Sequence, residues 1–178
     1  MTVTVTDFLQ SQRCEHKYDQ VIGMLDRAEK FSHLALKLAE IPNRSMFWFD
    51  DVNDENWGWS PKEADIASII QLIKDKGLDD GAQKVLVHCA AGISRSTAVA
   101  IGLLIMRGSS IPMAWELIQR QRPMMWPNEL ILKHFDKLLD LKGELVAFDK
   151  KWKADQMKND RLGISAFAAL FDSGEETT

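Results

Sequence analysis

Read for its hydrophobic and polar positions, the chain falls into two halves of different character. Apolar, β-leaning runs bounded by polar or turn residues occur at Thr2 to Val5 (TVTV), Val21 to Leu25 (VIGML), Met46 to Phe49 (MFWF) and Lys84 to His88 (KVLVH), and each predicts a strand. The last is apolar without alternation, the pattern of a strand covered on both faces inside a mostly parallel sheet. Elsewhere the period lengthens to that of a helix. The segment SPKEADIASIIQLIKDKG offers Ser60 as N-cap, Pro61 as first helical residue and Glu63 to complete a capping box, places Ile66, Ile69, Ile70 and Ile73 on one stripe, and stops at Gly77. ISRSTAVAIGLLIMRG is apolar almost all round after its first turn, which predicts a helix buried at the centre and ended by Gly108. Ser110 and Pro112 open the next helix, and Asn128 the one after, with Leu132, Phe135 and Leu139 on one side. ELVAFDKKWKADQMKND predicts a strongly charged surface helix, and Phe167, Leu170 and Phe171 in FAALF space as a docking stripe.

Strands interleaved with helices first, and helices alone afterwards, predict an α/β fold: a mostly parallel central sheet flanked by helices on both faces, with a helical C-terminal half. No repeat or low-complexity linker interrupts it. Residues 1–158 are therefore expected to form a single domain, and residues 159–178 a loosely ordered tail.

Composition narrows the setting. Over 178 residues, 46% hydrophobic against 27% charged suits a globular protein with a sizeable core. No apolar run approaches bilayer length, and the first residues lack a basic head followed by an apolar stretch, so a cytoplasmic protein without membrane insertion is expected. The two cysteines, Cys14 and Cys89, are too few for a disulfide framework or a cysteine-built zinc site, and His16, His33 and His134 are isolated, so no metal is expected. A net charge of −4 argues against a nucleic-acid partner, and any attraction for an anion must be local.

Local groups of that kind sit between the fourth strand and the buried helix, in VLVHCAAGISRSTAVAIGLLIM. In α/β sheets ligands gather beyond the carboxyl ends of strands, and the strand KVLVH delivers Cys89 to that edge. A tight turn with Gly92 at a helix N-terminus points successive N–H groups inward, a ready site for a phosphate or sulfate. The same positive helix end favours the thiolate of a cysteine placed there, hence a nucleophile. Arg95, in the first helical turn, can curl back and give two parallel N–H donors to an anion, and Ser94 and Ser96 add hydroxyls. A cysteine closing a buried strand is often only a small core residue. The joint pattern of His88, Cys89, Gly92, Arg95 and Ser96 sets this one apart, as does an arginine inside an otherwise apolar hinge.

HCAAGISRS resembles the signature loop of the cysteine-dependent protein tyrosine phosphatases, closest to the dual-specificity type and its small bacterial relatives, and the resemblance runs from about Val21 to Leu139. It implies the phosphotyrosine protein phosphatase-like fold and a metal-free, cofactor-free hydrolysis of phosphate monoesters through a phosphocysteine. It also implies roles. Cys89 attacks phosphorus, and Arg95 holds the phosphoryl oxygens with the loop residues Ala90, Ala91, Gly92, Ile93 and Ser94. His88 supports the thiolate, and Ser96 helps it leave. The family's general acid lies on a loop after the third strand, here FWFDDVNDENWGWSP. Asp50, Asp51 and Asp54 are candidates by position, and the family pattern, which places the acid second in a polar pair, favours Asp51. Asn128 after Pro127 is both an N-cap and, in the family, a support of the phosphate loop. Trp57 and Trp59 are either core anchors or the mouth of the site. Cys14 is either inert or a resolving thiol for an oxidised Cys89.

The expected partner is a phosphorylated protein or a small phosphate ester, with phosphotyrosine favoured by the family. Two alternatives stay within reach of the same loop: a phosphatase of a phosphoinositide, inositol phosphate or RNA 5′ phosphate, and a phosphate-binding module without turnover. The absence of lysine among Ala90, Ala91, Ile93 and Ser94 disfavours the first, and an intact nucleophile disfavours the second. A sulfurtransferase with a persulfide cysteine does not need the His88, Arg95 and Ser96 frame.

Overall fold

The computed structural model describes residues 3–159. Four strands, β1 (Val3–Thr6), β2 (Gln20–Leu25), β3 (Arg44–Trp48) and β4 (Val85–His88), form one parallel sheet in the order β1-β4-β2-β3. Each lies within two residues of its predicted span. Every residue of β2 and β4 is buried. That burial is why the central strand carries no polar alternation.

Among the described residues seven α-helices surround the sheet: α1 (Phe8–Cys14), α2 (His33–Ala39), α3 (Glu63–Asp75), α4 (Arg95–Met106), α5 (Ile111–Gln121), α6 (Glu129–Leu138) and α7 (Glu144–Asn159). The sequence pattern left α1 and α2 unpredicted, because seven residues are too few to show a helical period; Asp7 and Ser32 cap them by accepting from Gln10 N and Ala35 N. In α4 the residues Arg95 to Leu104 are all buried, since the helix packs on β1, β4 and β2 and is covered by α5 and α6. Val87, Val99, Ile101, Ile131 and Phe135 belong to one core cluster that runs from Val3 to Leu145.

One expectation is corrected and another refined. The α3 helix begins at Glu63 rather than Pro61, with Lys62 in the N-cap position. Ser60 does not cap it: its hydroxyl donates to Trp57 O at 2.8 Å, and the Asp65 carboxylate accepts instead from Lys62 N at 2.9 Å. The isoleucine stripe and the stop at Gly77, which has φ 62°, stand as predicted. The α7 helix is charged and mostly exposed, as expected, but it is docked along one stripe. Leu145, Asp149 and Lys153 are buried, and Trp152 meets Trp115 and Trp126 with ring centroids 5.6 and 6.0 Å apart. Its first turn is capped from α6 by the buried Asp136, which accepts from Gly143 N, Leu145 N and Val146 N at 2.7, 2.8 and 3.1 Å. Residues 160–178, holding nearly all of the expected loose tail and the whole FAALF stripe, lie outside the described residues.

The register brings all four strand ends to one edge. Thr6 and Gly23 both pair with His88, and Leu25 pairs with Trp48. Asp7, Cys89, Asp26 and the Phe49 to Asp51 turn therefore emerge side by side beyond the carboxyl ends.

Candidate active site

Cys89 leaves β4 as a buried residue, and its Sγ lies 3.2 Å from both Gly92 N and Ser96 Oγ. The loop that follows is held open by its carbonyls. Ala90 O accepts from Phe8 N at 3.1 Å, Ala91 O and Gly92 O from the Arg122 guanidinium at 2.8 Å each, and Ile93 O from Trp126 N at 3.0 Å. A peptide whose carbonyl is tied outward turns the following N–H inward, so these four bonds build a ring of amide donors around Cys89. Gly92 has φ 70°, and a Cβ there would lie 2.6 Å from Thr6 C and O. No side chain fits where β1 backs the loop.

The α4 helix starts immediately after the loop. Ser94 occupies its N-cap position without capping it, because its hydroxyl donates to Asp51 Oδ1 at 2.6 Å. The helix end thus keeps its partial positive charge facing the loop. Arg95 is buried, and its Nη1 donates to Phe49 O and to Asp26 Oδ1, both at 2.7 Å. Its Nε lies 3.6 Å from Asp51 Oδ2 and is a buried donor without a hydrogen-bond partner.

Only one of the three candidate acids stands over the loop. Asp51 Oδ1 accepts from Ser94 Oγ and, at 3.0 Å, from Asn128 Nδ2. Asp50 is turned aside to bridge Arg27 N and Trp57 Nε1, both at 3.0 Å, and Asp54 accepts from Asn56 N in its own exposed turn. Asn128 is the N-cap of α6, but its amide holds the acid loop, through Asp51 and Val52 O, rather than the phosphate loop. Only its backbone N–H reaches the latter, at Ser94 O. Trp57 and Trp59 are not core anchors, being 52% and 51% exposed. A cleft of about 1780 Å³ opens beside Asp51, Ile93 and Ser94, with Trp57, Trp126 and Lys133 in its wall. The Cys14 thiol donates to Gln10 O within its own helix, at 3.2 Å.

His88 is fully buried behind Cys89, with Nε2 2.8 Å from Arg44 Nη1. Burial, and next the Arg44 charge, push it down to about 3. Arg44, Asp26 and Arg122 escaped sequence reasoning, since each acts through long-range register rather than local spacing. An arginine opening the apolar strand before MFWF was the one available signal. Among the described residues no three His, Cys, Asp or Glu side chains are grouped to hold a metal ion.

Residues 7–139 match the family "Dual specificity phosphatase, catalytic domain". The chain is 35% identical over 77 residues to tyrosine-protein phosphatase YVH1 of Saccharomyces cerevisiae, covering 40% of this chain and 21% of that protein. It is 37% identical over 70 residues to dual specificity protein phosphatase 16 of Homo sapiens, covering 39% and 9%. The chain thus spans only a small part of these relatives. The fold is similar to that of Tk-PTP in its active form, with a TM-score of 0.54 at 19% identity over 78% of this chain and 91% of that one.

Proposed function

Because the chain belongs to the dual-specificity phosphatase catalytic-domain family, we propose that it hydrolyses phosphate monoesters of proteins, phosphotyrosine first among them, through a phosphocysteine. The Cys89 thiolate attacks phosphorus, forming the S–P bond as the P–O bond to the leaving group breaks. Asp51, as its acid form, gives the leaving oxygen a proton. Water then attacks the phosphocysteine while the Asp51 carboxylate takes a proton from it. The S–P bond breaks, inorganic phosphate departs, and Ser96 donates to the returning thiolate. Arg95 and the loop amides hold the phosphoryl oxygens throughout, where charge placement does most of the catalytic work.

One observation carries this reading: Sγ at 3.2 Å from an inward amide and from the Ser96 hydroxyl, at the base of a loop whose carbonyls all face away. The unpartnered buried Nε of Arg95 is a second donor waiting for an anion. No lysine is present in the loop to favour a multiply phosphorylated ligand. The reading requires no metal, and a cytoplasmic setting is proposed with it; no helix among the described residues is long and apolar enough to cross a membrane.

The test is the pH profile of aryl-phosphate hydrolysis with a chelator present, for the wild type beside Cys89→Ser. A bell-shaped profile abolished by the substitution, with vanadate still bound, is expected. Turnover retained by Cys89→Ser, or lost in chelator and restored by metal, would overturn the mechanism.

A further inference from the structure

Behind the nucleophile lies a chain of groups that the phosphate chemistry does not touch. Arg44 opens β3, and its side chain is entirely buried, with Nη2 paired to Glu15 at the end of α1 and Nη1 2.8 Å from His88 Nε2. A guanidinium has donors and no lone pair to offer, and it does not deprotonate in proteins. Nε2 must therefore be the accepting nitrogen, which leaves the single imidazole proton on Nδ1. The ring is closely packed: a Cβ on Gly23 would fall 2.5 Å from Nε2, Phe8 covers the ring at 5.6 Å, and Nδ1 is buried without a hydrogen-bond partner.

We propose that Arg44 is a positioning residue that acts on Cys89 through His88: it fixes the ring as the Nδ1–H tautomer and keeps it from taking up a second proton. The proposal rests on the phosphatase reading for its kinetic consequence but not for its structural one. The charged groups facing His88 are Arg44 from β3, Asp7 after β1 and Arg95 on α4, with Cys89 next along the chain. Two cations against one carboxylate oppose a third positive charge on the ring, and the low proton affinity of His88 agrees. The acid limb of the rate profile then carries no histidine ionisation. Glu15 balances the guanidinium and lets it stay buried.

Ring-nitrogen NMR of the wild type tests the tautomer directly, whether or not the protein turns over substrate. The chain has four histidines, and substituting His16, His33 and His134 one at a time by glutamine assigns the fourth. A His88 with bare Nε2 that stays neutral from pH 8 to pH 4.5 is expected. An Nε2–H tautomer, or titration near 6, would overturn the proposal. Kinetics then separates positioning from mere support. Arg44→Gln should add a histidine ionisation to the acid limb of kcat/KM and lower it about tenfold at pH 6, while Arg44→Lys keeps the wild-type limb. A uniformly lowered profile of unchanged shape in both variants would reduce Arg44 to a structural role. Should Arg44→Gln fail to fold, Gly23→Ala, which pushes the ring off the guanidinium, must change the tautomer signal; an unchanged signal would again defeat the proposal.

Discussion

Asp26 and Asp51 approach the Arg95 guanidinium from two neighbouring strand ends, yet they stand in different relations to it. Asp26 pairs with Nη1 at 2.7 Å and is 55% exposed, so it steadies the arginine and also competes with any anion that comes to it. Replacing it by asparagine should tighten vanadate inhibition a few-fold, the scale of an exposed charge contact of roughly 1 kcal/mol or less. Asp51 is held over the loop by Ser94 and Asn128, and Asp51→Asn should lower kcat on aryl phosphates by roughly 10²-fold and flatten the basic limb. Asp50→Asn should leave that limb in place, because its carboxylate is committed to Arg27 and Trp57. Gly92→Ala combines a positive φ with overlap on the backbone of Thr6, and should cost about 1–3 kcal/mol in urea unfolding. Cys89, Gly92, Arg95 and Ser96 were legible because their chemistry depends on local spacing alone. Asp26, Arg44 and Arg122 were not, because nothing near them in the chain says which strand end they will face.

Among the elements, periodicity revealed burial more reliably than it revealed starts and docking. The isoleucines of α3 lie where their spacing puts them, but the Ser-Pro signal belongs to the preceding loop, where Ser60 and Lys62 bind carbonyls of the acid turn. The polar appearance of α7 hides a narrow stripe of Leu145, Phe148 and Trp152, and the buried Lys153, which donates to Pro127 O at 2.8 Å. A cap supplied by a side chain of another helix leaves no mark at the helix it serves. Removing it should show that dependence: Asp136→Ala frees three N–H groups of the α7 start and should cost about 1–3 kcal/mol, read as loss of near-ultraviolet signal from Trp115, Trp126 and Trp152 before global unfolding.

At the scale of the whole molecule, two buried groups set opposing responses to acid. His88 binds its proton only near 3 when folded but near 6.5 when unfolded, so its contribution is full above 6.5 and is lost as the pH falls toward 3. Asp149 is raised by burial to about 6 despite Lys153 at 3.0 Å, so its contribution is full below 3.8 and is lost as the pH rises through 6. Between those limits folded and unfolded states hold equal protons at this pair, and the two effects cancel. Asp149→Asn should therefore gain on the order of 3 kcal/mol over the wild type from pH 4 to pH 7, measured by urea unfolding at each pH. The parallel sheet and its covering helices were readable from the order of patterns, whereas the strand order was not, since it depends on which buried edges pair. That order has a consequence for synthesis. Val3 finds its partner only when Val85 has been made, and the carbonyls of Ala91, Gly92 and Ile93 meet Arg122 and Trp126 only when those follow. A nascent chain halted just past Ser96 already holds every atom of the signature loop yet only the Phe8 part of its rim, so the loop takes its working shape well after its own residues are made.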